Sequence, residues 1–125
     1  MSEGKSIEEW QAERIRLNEI VLERAPLELK RFFSLDGQTY RDGALDAKTK
    51  ELLGLVASLV LRCDDCVLYH TIRCKEEGFS TNEYMEALTV ALVVGGSITI
   101  PHLRRAAERW AGLSEEEAGP DRKGK

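Results

Sequence analysis

The stretch from Leu52 to Leu61 carries apolar side chains at positions 52, 53, 55, 56, 59, 60 and 61. In a helix these positions cover nearly every face, so such a helix must be buried by neighbours packed around it. Those neighbours are legible on either side. Ser6 with Glu9 is a capping box that opens a helix over 7–24, which stops at Ala25-Pro26; Ser80 with Glu83 opens a second through Val94, which Gly95-Gly96 breaks. Pro26 starts a shorter helix carrying Leu27, Leu29, Phe32 and Phe33, expected to fail at Asp36-Gly37 and to leave Gln38 to Ala44 as a polar connection. Asp46 is the N-cap of the apolar helix, and a fourth helix runs from about Asp64 to Glu77 before Gly78. The last, from about Ile98 to Ala111, tolerates Pro101 in its first turn, turns Ile100, Leu103, Ala106, Ala107 and Trp110 inward and leaves Arg104, Arg105 and Arg109 as a solvated face. Strand signals are nearly absent. The expected fold class is all-α, a bundle of about six helices, with a single helical domain over 1–112 and a disordered tail over 113–125, where glutamates, glycine, proline and lysines cluster.

A formal charge of -4 leaves no basic surplus for a phosphate backbone, so nucleic acid is not expected as a partner. The N-terminus lacks the apolar core of a signal peptide, and the longest apolar stretches fall far short of the roughly 20 residues a membrane span needs. No membrane partner and a cytoplasmic location are therefore expected. The third and fifth helices are apolar almost all round, more than one small chain can cover, which implies a homo-oligomer.

Chemistry concentrates in Cys63-Asp64-Asp65-Cys66, followed after three residues by His70. Cysteines three apart at the start of a helix come within disulfide reach, and the helix N-terminus stabilises thiolate over thiol. His70, four residues after Cys66, shares its face at about 6 Å between side-chain roots, close enough to exchange protons directly or through one water. Glu51 precedes the turn near Leu61 to Cys63 by about as much as His70 follows it. An antiparallel hairpin leaves a mismatch of about 4.5 Å, within the span of a glutamate, so a relay from Glu51 through His70 to Cys66 is geometrically possible. Asp64 and Asp65 act the other way, since neighbouring carboxylates disfavour a thiolate, although both also suit a first helical turn. A thioredoxin-like fold is excluded because its Cys-x-x-Cys follows a strand, whereas here a helix precedes the motif.

The arrangement of Glu51, eleven intervening residues, Cys63-Asp64-Asp65-Cys66 and His70, set between Asp46 and Gly95-Gly96, resembles the alkylhydroperoxidase D-like, carboxymuconolactone decarboxylase family over roughly residues 26 to 110. The resemblance implies an all-helical fold assembled into trimers or hexamers, and thiol-dependent peroxidase activity. It makes Cys66 the peroxide-attacking thiolate, Cys63 its resolving partner, and His70 with Glu51 the proton relay. Asp65 stands where the best-known peroxidase branch has a histidine. The substrate would be a peroxide or a small disulfide, and no nicotinamide or flavin fingerprint is present, so electrons would come from an external dithiol reductant and no cofactor is expected. Within the family the alternative is a decarboxylase acting on a lactone, for which the two cysteines would be unnecessary. Outside it, the alternative is a non-catalytic oligomeric binding or metal-sensing protein.

A metal site is not expected: it would need Cys63, Cys66, His70 and Cys74 together, yet Cys66 and Cys74 on one helix stand about 12 Å apart. Cys74 reads as a small buried hydrophobe. His102 has no partner visible in the sequence and reads as a surface or interface residue, and Tyr69, Trp10 and Trp110 as packing or interface aromatics.

Overall fold

The computed structural model describes residues 6–118, which form six α-helices and one short 3-10 helix with no strand among them. The all-α architecture is therefore as expected. Contacts divide the chain after Arg41 into two compact units, a division that the single-domain reading of 1–112 did not include.

The first unit holds α1 (Ile7–Arg24) and α2 (Leu27–Thr39). Ser6 and Glu9 form the anticipated capping box, each side chain accepting the other's backbone N–H at 3.0 Å. Neither helix buries a residue, and Ile15, Phe32 and Leu35 are all well exposed. The expected break at Asp36-Gly37 does not occur. One interior glycine costs only about 1 kcal/mol relative to alanine. The final turn is held by Gln38 Nε2 donating to Ser34 Oγ at 3.0 Å and Thr39 Oγ1 donating to the Leu35 carbonyl at 2.8 Å.

The second unit contains α3 (Ala47–Leu61), α4 (Asp64–Glu76), α5 (Thr81–Gly95), the 3-10 turn Ser97–Thr99 and α6 (Ile100–Ala118). Asp46 caps α3 by accepting the Thr49 N–H at 2.8 Å, and Ser80 with Glu83 forms the second capping box. Helix α3 packs against α4 and α5, which both pack on α6. Leu55, Leu59, Val67, Tyr84, Leu88, Ala91 and Trp110 fill the space between them. Each of the fully buried leucines contributes about 1.5–3 kcal/mol. Tyr84 stacks on Trp110 at 4.2 Å, and its hydroxyl donates to the Ala106 carbonyl while receiving the Thr71 hydroxyl at 2.7 Å, so this buried polar group is satisfied.

Helix α6 runs to Ala118, so the tail expected from 113 begins as helix; consecutive glutamates are good helix formers, and residues 119–125 lie outside the described region. By itself the chain leaves part of helix α3 bare, as its all-round apolar pattern implied: Leu55 and Leu59 are inaccessible, whereas Leu53 is 54% and Leu61 75% exposed.

Candidate active site

The site is built on the α3–α4 hairpin. Helix α3 ends at Arg62, the one described non-glycine residue with a left-handed backbone (φ 60), whose N–H turns back to the Leu59 carbonyl. The sharp reversal makes Cys63 the N-cap of α4, and its Sγ accepts the Cys66 N–H at 3.3 Å. Sulfur thus occupies the place where a helix start favours negative charge. Cys63 and Cys66 are joined as a disulfide with their Cα atoms 5.3 Å apart. Cys63 is half-buried and Cys66 exposed.

One turn further along, His70 is buried and its Nδ1 lies 2.9 Å from Glu51 Oε1. Glu51, 1% exposed, comes from the second turn of α3, as the hairpin register required. An ionised carboxylate only accepts, so this contact places the proton on Nδ1 and makes Nε2 the basic nitrogen of the ring. The second Glu51 oxygen faces Arg73 Nε at 3.4 Å, and Arg73 also pairs with Glu76 and Glu77. Partial burial opposes the Arg73 charge, but the Glu76 hydrogen bond and the Glu51 carboxylate hold its pKa above the ordinary value, so Glu51 sits between an imidazole and a fixed cation.

Gly54 completes this arrangement. A Cβ built there would stand 2.6 Å from His70 Cε1, 2.7 Å from Nε2 and 2.9 Å from Nδ1, so the ring lies directly on the backbone of α3. The sequence did carry a signal, a lone glycine one turn after Glu51 inside an apolar helix, which marks close approach of another group.

Cys74 lies in the core at 0% exposure, its thiol pushed up to about 12 by burial and then by the charges of Glu51 and Glu77. It is thereby unreactive near neutrality. Helix α4 is continuous from Cys66 past Cys74, and among the described residues no three His, Cys, Asp or Glu side chains are grouped as metal ligands would be.

His102 and Arg105 depart from their sequence reading. His102 Nδ1 lies 2.8 Å from Asp64 Oδ1, and Arg105 reaches Asp64 Oδ2 at 3.1 Å. The separations of 38 and 41 residues explain why no local pattern announced them. Partial burial raises the Asp64 carboxyl, but hydrogen bonds from His102 and Arg105 outweigh it and hold the group below its ordinary value.

Fold and site together define an all-helical protein with a Cys-x-x-Cys disulfide at a helix start and a buried carboxylate–imidazole pair beneath it. The carboxymuconolactone decarboxylase family profile matches residues 26–109, and the chain belongs to that family. It is 60% identical to a carboxymuconolactone decarboxylase family protein of Thermotoga maritima suggested to act in an antioxidative response; the match covers 85% of this chain and 90% of the other, with a TM-score of 0.81. A second family member, from Legionella pneumophila, is 27% identical over 83% of this chain and 92% of its own, with a TM-score of 0.73. An uncharacterised protein of the cox locus in Paracoccus denitrificans is 31% identical over 60% of this chain and 68% of its own length. Among the described residues no helix is long and apolar enough to cross a membrane.

Proposed function

We propose that this protein is a thiol-dependent peroxidase or disulfide oxidoreductase working through Cys63, Cys66, His70 and Glu51. The observation that carries this reading is the Glu51–His70 pair, buried and hydrogen-bonded at 2.9 Å, one helical turn below a Cys-x-x-Cys whose second cysteine is exposed. A merely structural disulfide has no use for a proton relay.

In the reduced protein His70 takes the Cys66 thiol proton, and the thiolate attacks the terminal peroxide oxygen. An S–O bond forms, the O–O bond breaks, and the departing alkoxide takes a proton delivered by His70, giving an alcohol and a Cys66 sulfenic acid. The Cys63 thiolate then attacks Cys66 Sγ, and the hydroxyl leaves as water with a second proton. The sum is two thiols and one hydroperoxide converted to a disulfide, an alcohol and water. An external dithiol restores the pair by two exchange steps, and a reducing cytoplasm is the compartment that suits this cycle. Glu51 acts through His70, fixing its tautomer and stabilising the imidazolium.

The working form is a homo-oligomer, a trimer or hexamer. In support, Val90, Val93 and Val94 on α5 are 54%, 78% and 69% exposed, a stripe that one chain leaves bare.

The test is a thiol count on the reduced protein before and after one equivalent of hydrogen peroxide or an alkyl hydroperoxide, with peptide mapping of the product. Loss of two thiols into a Cys63–Cys66 bridge, abolished by Cys66→Ser and slowed about 100-fold or more by His70→Ala, is the expected result. All three thiols surviving would refute it and turn attention to the decarboxylase and binding-protein readings.

A further inference from the structure

The Cys-x-x-Cys motif contains its own obstacle, two carboxylates flanking a group that must ionise. One of them is not left to act on the sulfurs. Asp64 lies in the first turn of α4, and both of its oxygens are engaged from α6: Oδ1 by His102 Nδ1 at 2.8 Å, Oδ2 by Arg105 Nε at 3.1 Å and by a terminal guanidinium nitrogen, also at 3.1 Å. That guanidinium nitrogen stands 3.2 Å from His102 Nδ1, so the three side chains form one cluster. Both arginine nitrogens converge on one carboxylate oxygen, a charge-assisted contact stronger than a neutral hydrogen bond, while the histidine takes the other oxygen. The cluster also fastens the first turn of α4, between the two cysteines, to a helix about forty residues away.

We propose that His102 and Arg105 are positioning residues for the dithiol, clamping Asp64 so that its charge is spent on α6 and the cysteine pair keeps its thiolate form near neutral pH. This rests on the redox reading of the pair and deepens it by naming what tunes the sulfurs. The charged and titratable groups around the motif include Arg62 at the end of α3, directly before Cys63, Asp64 and Asp65 from α4, His102 and Arg105 from α6, and, one turn deeper, His70 with Glu51 of α3. A free Asp64 would disfavour the thiolate that the helix start stabilises, and the clamp removes that opposition. Neither residue touches a reacting atom; both act through Asp64.

The clamp is tested on the reduced full-length protein by following thiolate absorbance against pH in four forms: wild type, Arg105→Ala, Asp64→Asn and the double variant. Arg105→Ala is expected to move the lower thiol midpoint up by roughly half a unit to one unit, and Asp64→Asn to move it down. In the Asp64→Asn background, Arg105→Ala should move the midpoint by less than half as much, because no carboxylate remains to be released. An Arg105→Ala midpoint equal to wild type would overturn the proposal. An equal Arg105→Ala shift in both backgrounds would overturn it too, since the guanidinium would then act on sulfur directly. His102→Asn, which keeps a donor for Asp64, should lie nearer wild type than His102→Ala; the reverse order is a further refutation, and one that stands if an arginine variant fails to fold. Peroxide is absent from this titration, so the clamp and the peroxidase reading fail separately.

Discussion

Replacing Gly54 by alanine is the smallest change that tests how His70 is held. The added methyl would sit 2.6–2.9 Å from three atoms of the imidazole, closer than real Cβ contacts come, and the ring is not the far end of a flexible chain but one pinned to Glu51. The ring must move or the helices must part. Overpacking of this kind costs about 1–3 kcal/mol. Displacing the ring also takes from Glu51, 1% exposed, one of its two partners, at about 1–3 kcal/mol. Against these stands a gain of about 1 kcal/mol from replacing glycine inside a helix. The net is a loss of about 3 kcal/mol, which for a unit of this size lowers Tm by roughly 15 °C. Gly37 supplies the control, since it too lies within a helix but a Cβ there meets nothing within 4 Å; Gly37→Ala should raise stability by about 0.5–1 kcal/mol. Thermal unfolding followed by far-ultraviolet circular dichroism, with the thiol-loss assay run in parallel, reads both. If Gly54→Ala matched Gly37→Ala in sign, and peroxide-dependent thiol loss were unchanged, the seating of His70 on α3 would be wrong.

Cys74 should behave as a silent thiol: an alkylating reagent at neutral pH modifies two of the three cysteines of the reduced native protein, and the third only after denaturation. The same residue predicts an alkaline loss of stability. Its thiol ionises near 9 in the unfolded chain but near 12 in the folded one, so protons are released on unfolding between those values and stability falls as pH rises through that window. Denaturant titrations from pH 8 to pH 11 should show a shallower decline in Cys74→Ala, and an unchanged slope would reject the assignment. Arg62→Gly relieves a left-handed residue and should add about 1 kcal/mol to the unfolding free energy, seen as a higher denaturant midpoint; no gain would mean that the Arg62 side chain makes a compensating contact.

How much of this was legible follows from the reach of each interaction. Three helix starts declared themselves because an N-cap and its partner lie three residues apart: Ser6 with Glu9, Asp46, and Ser80 with Glu83. Glu51 and His70 were legible as well, because a short hairpin fixes the register between two adjacent helices and a glutamate spans the remaining offset. The end of α2 was misplaced for the opposite reason. Glycine weakens a helix by an amount that two side-chain hydrogen bonds in its last turn can offset, and local composition does not say which side wins. Arg105 was read as a solvated charge because α6 carries several arginines and only one of them reaches Asp64; which one does so depends on how α6 crosses α4, a tertiary angle with no local signature. The site straddles both regimes. Its reactive groups sit on a local hairpin, whereas the residues inferred to set their acidity come from a helix some forty residues on, so a motif search finds the cysteines and misses what governs them.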